Sequence, residues 1–172
     1  MTTRPAQGIE ERHWQPVAGW RRHASPLSLI IFGAVVLAGL TGFLGHERDW
    51  IASNGGTRLE VHAPEVIRNG EFLEMRISVE SEAAVDELGI GIGQALWEDF
   101  TVNTMIPASS EETSQGGEFR FAFGQLAAGT PFLLKVDLQV NPDILGGNQG
   151  LVTVYDGDEA LAQVSIAITV LP

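Results

Sequence analysis

The sequence predicts an all-β protein, an immunoglobulin-like β-sandwich of about seven to eight strands preceded by one N-terminal transmembrane helix. Three features support this prediction: an uncharged apolar run between residues 24 and 45, later segments in which apolar and polar residues alternate, and Gly, Pro and Asn between those segments. An apolar run of about 20 residues can cross a bilayer, and apolar residues with a period of two are typical of half-buried strands. The length of 172 residues fits one domain plus an appendage.

Charge divides the chain into two parts. Residues 1–45 carry four Arg and two Glu, a net charge of +2, which leaves −14 for residues 46–172 because the whole chain carries −12. Phosphate binding needs clustered Lys and Arg, so nucleic acid is excluded as a partner of the acidic part. Cysteine is absent, which excludes disulfides, thiolate metal sites and cysteine nucleophiles.

The N-terminal part predicts a membrane anchor. Residues 1–25 are interpreted as a short cytoplasmic arm and residues 26–45 as the transmembrane helix. Arg12, Arg21 and Arg22 precede the apolar run, and an excess of positive charge marks the cytoplasmic side of such helices. We therefore expect the protein to reside in the bacterial inner (cytoplasmic) membrane, with its N-terminus cytoplasmic and its C-terminal domain periplasmic or otherwise extracytoplasmic.

A cleaved signal peptide shares this basic and then apolar pattern. The leader is long for a signal peptide, however, and no Ala-x-Ala precedes His46, which favours a retained helix. Within the helix, Ala34, Ala38 and Gly42 recur at every fourth position and lie along one face. Small residues at this spacing let two membrane helices approach closely, so these three are the predicted helix-packing residues, although Ala and Gly are frequent in membrane helices in any case.

After the helix, residues 46–57 contain Ser-Asn-Gly-Gly and are predicted to be a flexible tether. Residues 58–172 are predicted to be the β-sandwich, with a small open barrel as the alternative. Residues 59–62, 96–106 and 151–155 are further strand candidates, the last ending in a hairpin at Asp156-Gly157. The alternating apolar positions are Leu73, Met75, Ile77 and Val79; Leu88, Ile90 and Ile92; Phe119, Phe121 and Phe123; Phe132, Leu134, Val136, Leu138 and Val140; and Val164, Ile166, Ile168 and Val170.

The sequence contains few residues in arrangements suited to metal binding or catalysis. A metal site built on His46 and His62 would need Glu47 or Asp49 as well, and no ligand-spacing motif is present, so surface histidines are the favoured interpretation. The acidic cluster at residues 156–159 lacks the spacing of a calcium loop and is interpreted as a solvated hairpin turn. No nucleophile motif such as Gly-x-Ser-x-Gly occurs. We therefore predict no enzyme activity, no metal and no cofactor.

Residues 96–107 have an unusual composition for this chain, because a Trp, a Phe and a Met flank polar residues. If they are exposed, Trp97, Phe100 and Met105 form a contact patch of the kind that anchors protein partners. The competing interpretation, that Trp97 fills the core, follows from the usual burial of large aromatic residues. Glu111-Glu112, in the Ser-rich and Gly-rich stretch that follows, is predicted to be a mobile, solvated loop.

The segments from Trp97 to Phe123 and from Pro142 to Glu159 resemble those of uncharacterised bacterial single-pass membrane proteins with an immunoglobulin-like extracytoplasmic domain, to which no activity is attached. In layout the chain is also similar to membrane-tethered assembly factors for respiratory oxidases, such as the copper chaperone with an immunoglobulin-like domain behind one N-terminal helix. Those factors use a cysteine pair for copper, so copper delivery by that route is excluded here.

The leading functional prediction is a membrane-anchored accessory or interaction protein whose β-domain contacts another membrane or envelope protein. The alternative is a ligand-binding or carbohydrate-binding β-sandwich module tethered to the membrane, which would require Trp97 or Tyr155 to be exposed in a groove.

Overall fold

The computed structural model describes residues 19–42, 45–141 and 146–172, with side chains described from residue 25 onward. Most of the predicted cytoplasmic arm, residues 1–18, and part of the end of the predicted transmembrane helix, residues 43–44, lie outside these ranges. The chain divides into two units, Met1–Phe43 and Leu44–Pro172.

The first unit contains one long helix, α1 (Gly19–Leu40), of 22 residues with Pro26 inside it. The Thr41 backbone N–H donates to the Leu37 carbonyl (3.0 Å), and Gly42, at a φ of 73°, follows the helix end. Such a left-handed residue commonly terminates a helix, and glycine adopts it without steric cost. In the part of the chain that the structure describes, no helix has both the length and the hydropathy needed to cross a membrane.

The second unit is a β-sandwich. Its described residues form eleven strands and one short helix, where the sequence predicted seven to eight strands. In chain order these are β1 (Glu47–Asn54), β2 (Thr57–Pro64), β3 (Val66–Arg68), β4 (Phe72–Ser81), β5 (Val85–Gly93), α2 (Gln94–Trp97), β6 (Phe100–Ile106), β7 (Glu111–Gln115), β8 (Glu118–Leu126), β9 (Phe132–Val140), β10 (Gly146–Asp156) and β11 (Glu159–Leu171).

The strands make two sheets. The first sheet has the order β1-β2-β4-β9-β6 and the second has the order β3-β11-β10-β5-β8-β7. The paired strands are antiparallel except β3, which runs parallel to β11. Sheet edges are therefore β1 and β6 in one layer and β3 and β7 in the other.

The core lies between the two layers and is built from the alternating positions of the sequence. On β2, for example, Leu59, Val61 and Ala63 are fully buried while the residues between them face outward. The same alternation on β4, β9 and β11 supplies most of the remaining core, because every second strand residue points to the same face. The largest apolar side chains in this core are exposed by no more than 1%. They are Leu59, Met75, Ile77, Leu88, Ile90, Ile92, Leu96, Leu134, Leu138, Ile166 and Ile168.

One side of the sandwich is closed. Strand β1 lies against β11 of the other sheet, and Trp50 is buried there at 8% exposure within the core cluster. The Asn54 side chain donates a hydrogen bond from Nδ2 to the Leu161 carbonyl (2.8 Å) and so links the two layers. Residues 47–54, predicted to belong to a flexible tether, are thus an edge strand, because a buried Trp and pairing with β2 along its whole length order the segment.

Two more segments depart from the sequence prediction. Residues 111–115, predicted to be a mobile loop, form β7, which pairs with β8 over five residues. Residues 96–106, predicted to be one strand, divide into the end of α2 and the strand β6. Leu96 and Trp97 are adjacent and both belong to the core, an arrangement that a helical turn permits and that departs from the alternation of a regular strand.

Candidate functional site

The side of the sandwich opposite β1 carries a cleft of about 400 Å³. It lies between the edge strands β6 and β7, and α2 and β8 also contribute residues to its walls. Most of its large side chains are apolar. The lining residues are Trp97, Val102, Met105, Glu112, Thr113, Ser114, Phe119 and Phe121. We call this space the inner cleft.

The aromatic floor of the inner cleft is formed by Trp97 and Phe121. Their ring centroids are 5.4 Å apart and their planes are inclined by 57°, which is a favourable arrangement for two aromatic quadrupoles. Trp97 is 8% exposed and Phe121 is 4% exposed, so each shows only a small part of its ring to the cleft. Val102, at 38%, is the most accessible apolar residue of the wall.

The position of Trp97 is fixed by the contacts of α2. Asn148 on β10 is buried, and its side-chain Nδ2 donates to the Leu96 carbonyl (3.2 Å) and to Asp99 Oδ2 (2.8 Å). Gly150, two residues along β10, lets α2 approach closely, because a Cβ at that position would lie 2.5 Å from Leu96 Cβ. The floor of the cleft is therefore held by a buried polar anchor and a tight backbone contact.

The two strands that flank the inner cleft present different edges. Within the described part of the chain, strand β6 pairs with β9 alone, and its register shifts between Val102 and Thr104, which marks a bulge. Strand β7 pairs there with β8 alone, and its register is regular from Glu111 to Gln115. All five residues of β7 are exposed. An edge strand of this kind offers main-chain N–H and C=O groups to an incoming strand, whereas a bulge disrupts such pairing.

Strand β7 also borders a second space, of about 320 Å³, on the outer face of its sheet. We call it the outer cleft. Its charged lining residues are Glu87, Glu111, Asp158 and Arg120, and the others are Thr113, Gln115, Ala122 and Gly157. Carboxylates therefore outnumber basic groups here, in contrast to the apolar inner cleft.

Arg120 belongs to a hydrogen-bonded cluster on the outer face. Its Nε donates to Glu118 Oε2 (3.2 Å), its Nη1 lies 3.4 Å from Asp158 Oδ1, and its guanidinium stacks 3.9 Å from the ring centroid of Tyr155. The Tyr155 hydroxyl also donates to Glu118 Oε2 (2.8 Å). Glu118 folds over Gly91, where a Cβ would overlap its carboxylate.

The ionisation of this cluster follows from its contacts. Burial raises the pKa of Tyr155, and the hydrogen bond to Glu118 raises it further. Burial acts to lower the pKa of Arg120, but its hydrogen bond to Glu118 and nearby negative charge outweigh that effect, so the pKa is raised overall. Arg120 is thus a permanent cation whose charge is already engaged by Glu118 and Asp158.

A second charged cluster lies on the first sheet, where His62 of β2 faces Asp49 of β1 across the pairing. His62 Nδ1 contacts an Asp49 carboxylate oxygen, and Nε2 lies 3.0 Å from Glu47 Oε2. The hydrogen bond to Asp49 raises the pKa of His62, partial burial lowers it and Glu47 raises it, with a net increase. Among residues 25–42, 45–141 and 146–172, no group of three or more His, Asp or Glu side chains has a metal-binding arrangement.

The structure brings two of the three predicted contact residues together. Trp97 and Met105 both line the inner cleft, whereas Phe100 is 6% exposed, belongs to the core and is not part of the cleft wall. Trp97 is buried and belongs to the core cluster, as in the competing interpretation, although a small part of it borders the cleft. Ala34 and Ala38 lie on α1 and Gly42 follows it; their role in helix packing stays a prediction.

No family model matches the chain, and no curated protein matches it. Among solved structures, a chain of the CaDoc0917–CaCohA2 complex matches with a TM-score of 0.42 and 14% identity, covering 62% of this chain and 94% of that chain. A non-cellulosomal cohesin from the hyperthermophilic archaeon Archaeoglobus fulgidus matches with a TM-score of 0.38 and 12% identity, covering 62% of this chain and 86% of that chain.

Proposed function

We propose that the β-sandwich is a non-enzymatic protein-interaction module, and that its partner contributes an extended segment which pairs with β7 and places side chains in the inner cleft. The observation that carries this proposal is an apolar cleft bordered by a regular, fully exposed edge strand. Strand addition at a sheet edge is a recurrent mode of peptide recognition, in which main-chain hydrogen bonds supply affinity and side-chain pockets supply specificity.

The energetics favour reversible binding. Covering an exposed aliphatic side chain contributes about 1.5–3 kcal/mol, and each main-chain hydrogen bond contributes about 0.5–1.5 kcal/mol net. Val102 and Met105 are only partly exposed, and β7 is five residues long. Association costs about 4–15 kcal/mol of lost freedom, so a contact of this size fits a transient or multi-point complex.

A carbohydrate-binding module is the weaker candidate. Sugar recognition on a β-sandwich would use an exposed aromatic ring, and the two aromatic residues considered for that role are both 8% exposed. Trp97 is packed against Phe121, and Tyr155 is covered by the Arg120 guanidinium. Neither ring offers a free face to a sugar.

We further propose that the N-terminal helix attaches the module to a membrane and that the partner is another envelope protein. Supporting this, residues 24–45 carry no charge, and the apolar side chains of α1 are widely exposed, including Ile30 at 68%, Phe32 at 69% and Leu40 at 79%. The test is extraction of cell membranes at alkaline pH. We expect the chain to stay in the pellet and a Val35→Lys, Leu37→Lys variant to be released, because two charges on the apolar surface of α1 oppose its burial in lipid. Recovery of the unaltered chain in the supernatant would contradict the attachment.

The interaction itself is tested by photo-crosslinking in cells, with the photoreactive residue placed at one position at a time. A photoreactive residue replaces Val102 in the inner cleft, and the matched control replaces Leu133, which is 45% exposed on the neighbouring strand β9. We expect a discrete crosslinked protein from position 102 and none from position 133, with the crosslinked peptide mapped by mass spectrometry. Equal products from both positions, or none from position 102, would refute binding in the cleft.

A further inference from the structure

Strand β7 separates two clefts of opposite chemistry, and its side chains alternate between them. Glu112 and Ser114 pair with Phe121 and Phe119 and border the inner cleft. Glu111, Thr113 and Gln115 line the outer cleft, and Thr113 also borders the inner one. The alternation follows from the period of two in a strand.

A strand that pairs with the free edge of β7 inherits the same alternation. Every second side chain of the added strand points toward the inner cleft, and the side chains between them point toward the outer cleft. The inner cleft offers Trp97, Met105 and Phe121, which favour an apolar side chain. The outer cleft offers carboxylates, which favour a cation.

The acidic character of the outer cleft is not cancelled by Arg120. The guanidinium of Arg120 already contacts Glu118 and Asp158 and stacks on Tyr155. Glu87 and Glu111 also line this cleft, and no ion pair of either is found among the described residues. An incoming Lys or Arg would therefore meet carboxylates with spare capacity, in a domain whose overall charge is strongly negative.

We infer that the segment bound at β7 is an extended stretch of a partner protein in which apolar residues alternate with Lys or Arg. The apolar residues occupy the inner cleft and the basic residues face Glu87, Glu111 and Asp158 in the outer cleft. This inference rests on the proposed function and adds the sequence chemistry of the partner. The matching length is about five residues, because β7 pairs with β8 over five residues.

A second copy of this chain does not fit the same edge. Antiparallel pairing of β7 with its own copy would place Glu111 opposite Gln115 and Glu112 opposite Ser114, so it would form no ion pair, and it would bring together two domains of strongly negative charge. The β6 edge is interrupted by its bulge, and β3 has only three residues. A basic partner segment is thus favoured over self-association by charge and by strand geometry.

The test uses the full-length protein and four labelled heptapeptides with blocked ends. The first alternates Val and Lys, the second has the same composition in two blocks, the third alternates Val and Thr, and the fourth alternates Val and Glu. Binding is followed by fluorescence anisotropy at low and high salt. We expect the Val-Lys peptide to bind about tenfold more tightly than its block isomer and than the Val-Thr peptide, with an advantage that shrinks as salt rises.

Two charge reversals locate the binding. Glu111→Lys in the outer cleft should weaken the Val-Lys peptide about fivefold and leave the Val-Thr peptide nearly unchanged, since an exposed ion pair contributes up to about 1 kcal/mol. Glu80→Lys makes the same change in net charge at an exposed position on β4 of the other sheet, and should have less than about a twofold effect.

The outcomes separate this inference from the proposed function. Equal affinity for the Val-Lys and Val-Thr peptides would overturn the inference that the partner segment carries basic residues, and so would equal effects of Glu111→Lys and Glu80→Lys. Either result would leave strand addition at β7 in place. Failure of all four peptides to bind, together with a specific crosslink from position 102, also overturns the pattern and leaves the interaction module in place. Loss of both the crosslink and peptide binding overturns both proposals.

Discussion

Replacing Gly150 by alanine should destabilise the sandwich and disturb the inner cleft, because the close approach of α2 to β10 leaves no room for a methyl group. The new Cβ would lie 2.5 Å from Leu96 Cβ, 3.4 Å from the Leu96 nitrogen and 3.5 Å from its Cα. Ordinary carbon contacts are about 3.5–4.0 Å, so α2 must move away by about 1 Å or more. Its neighbour here is the base of a side chain and not a flexible end, so the strain is not relieved by a rotamer change.

The expected cost is about 1–3 kcal/mol, the usual range for overpacking a well-packed core. The measurement is urea unfolding of the full chain followed by tryptophan fluorescence, with the midpoint and slope compared between variants. Gly147→Ala is the matched control on the same strand, since a Cβ there meets nothing within 4 Å and its φ is not positive. It should be neutral or slightly stabilising. A Gly150→Ala protein as stable as the Gly147→Ala protein would refute the close-packing argument.

Three further changes test other contacts. Leu134→Ala removes a fully buried side chain of β9 and should cost about 2–5 kcal/mol in urea unfolding, and a loss below about 1 kcal/mol would show that the two sheets repack freely. Tyr155→Phe removes the 2.8 Å hydrogen bond to Glu118 and should lower the free energy of unfolding by about 1–2 kcal/mol in the same measurement. An unchanged midpoint would show that the Glu118 carboxylate is held by Arg120 and gains nothing from Tyr155. The pKa of His62 is raised in the folded state by Asp49, so its contribution is fully present below the unfolded pKa of about 6.5 and is lost as the pH rises through the raised folded pKa. The stability difference between the native chain and His62→Gln should therefore be larger at pH 5.5 than at pH 9, and a difference that is independent of pH would contradict the pairing.

The sequence predicted well those strands that have one face in the core. The five alternating apolar positions between Phe132 and Val140 match β9 in its whole length, and the run from Val164 to Val170 lies within β11. A β-sandwich follows from such strands, since each must bury one face against another layer. The number of strands was underestimated because the missed ones do not depend on apolar alternation.

The missed strands are at or near the edges of the sheets, which explains why periodicity did not reveal them. Strand β7 reads Glu-Glu-Thr-Ser-Gln and is exposed at every position, so its order comes from main-chain pairing with β8. Strand β1 contains a single large buried residue, Trp50. The signal that could have indicated β7 is Gly116-Gly117, a turn that joins residues 111–115 to the Phe119–Phe123 alternation and is compatible with a hairpin.

The candidate site was predicted only in part for a related reason. The composition of residues 96–107 indicated Trp97, Phe100 and Met105, of which Trp97 and Met105 line the cleft and Phe100 lies in the core. Phe119 and Phe121 were recognised as strand residues but not as cleft residues, because their role depends on which strand lies beside them. Sequence alternation gives the face of a residue, whereas the sheet order that leaves β6 and β7 at facing edges depends on long-range pairing.

The two sides of the sandwich explain why binding is proposed at one of them. On the side of β1, Trp50 fills the space between the sheets and the Asn54 side chain bonds to the opposite layer, so the two layers are joined beside that edge. On the other side, the gap between β6 and β7 is filled only partly by Trp97. The strongly negative charge of the chain disfavours pairing with another copy of it. A regular edge, an incompletely filled apolar cleft and a charge that repels self-association together favour a different, basic partner at this position.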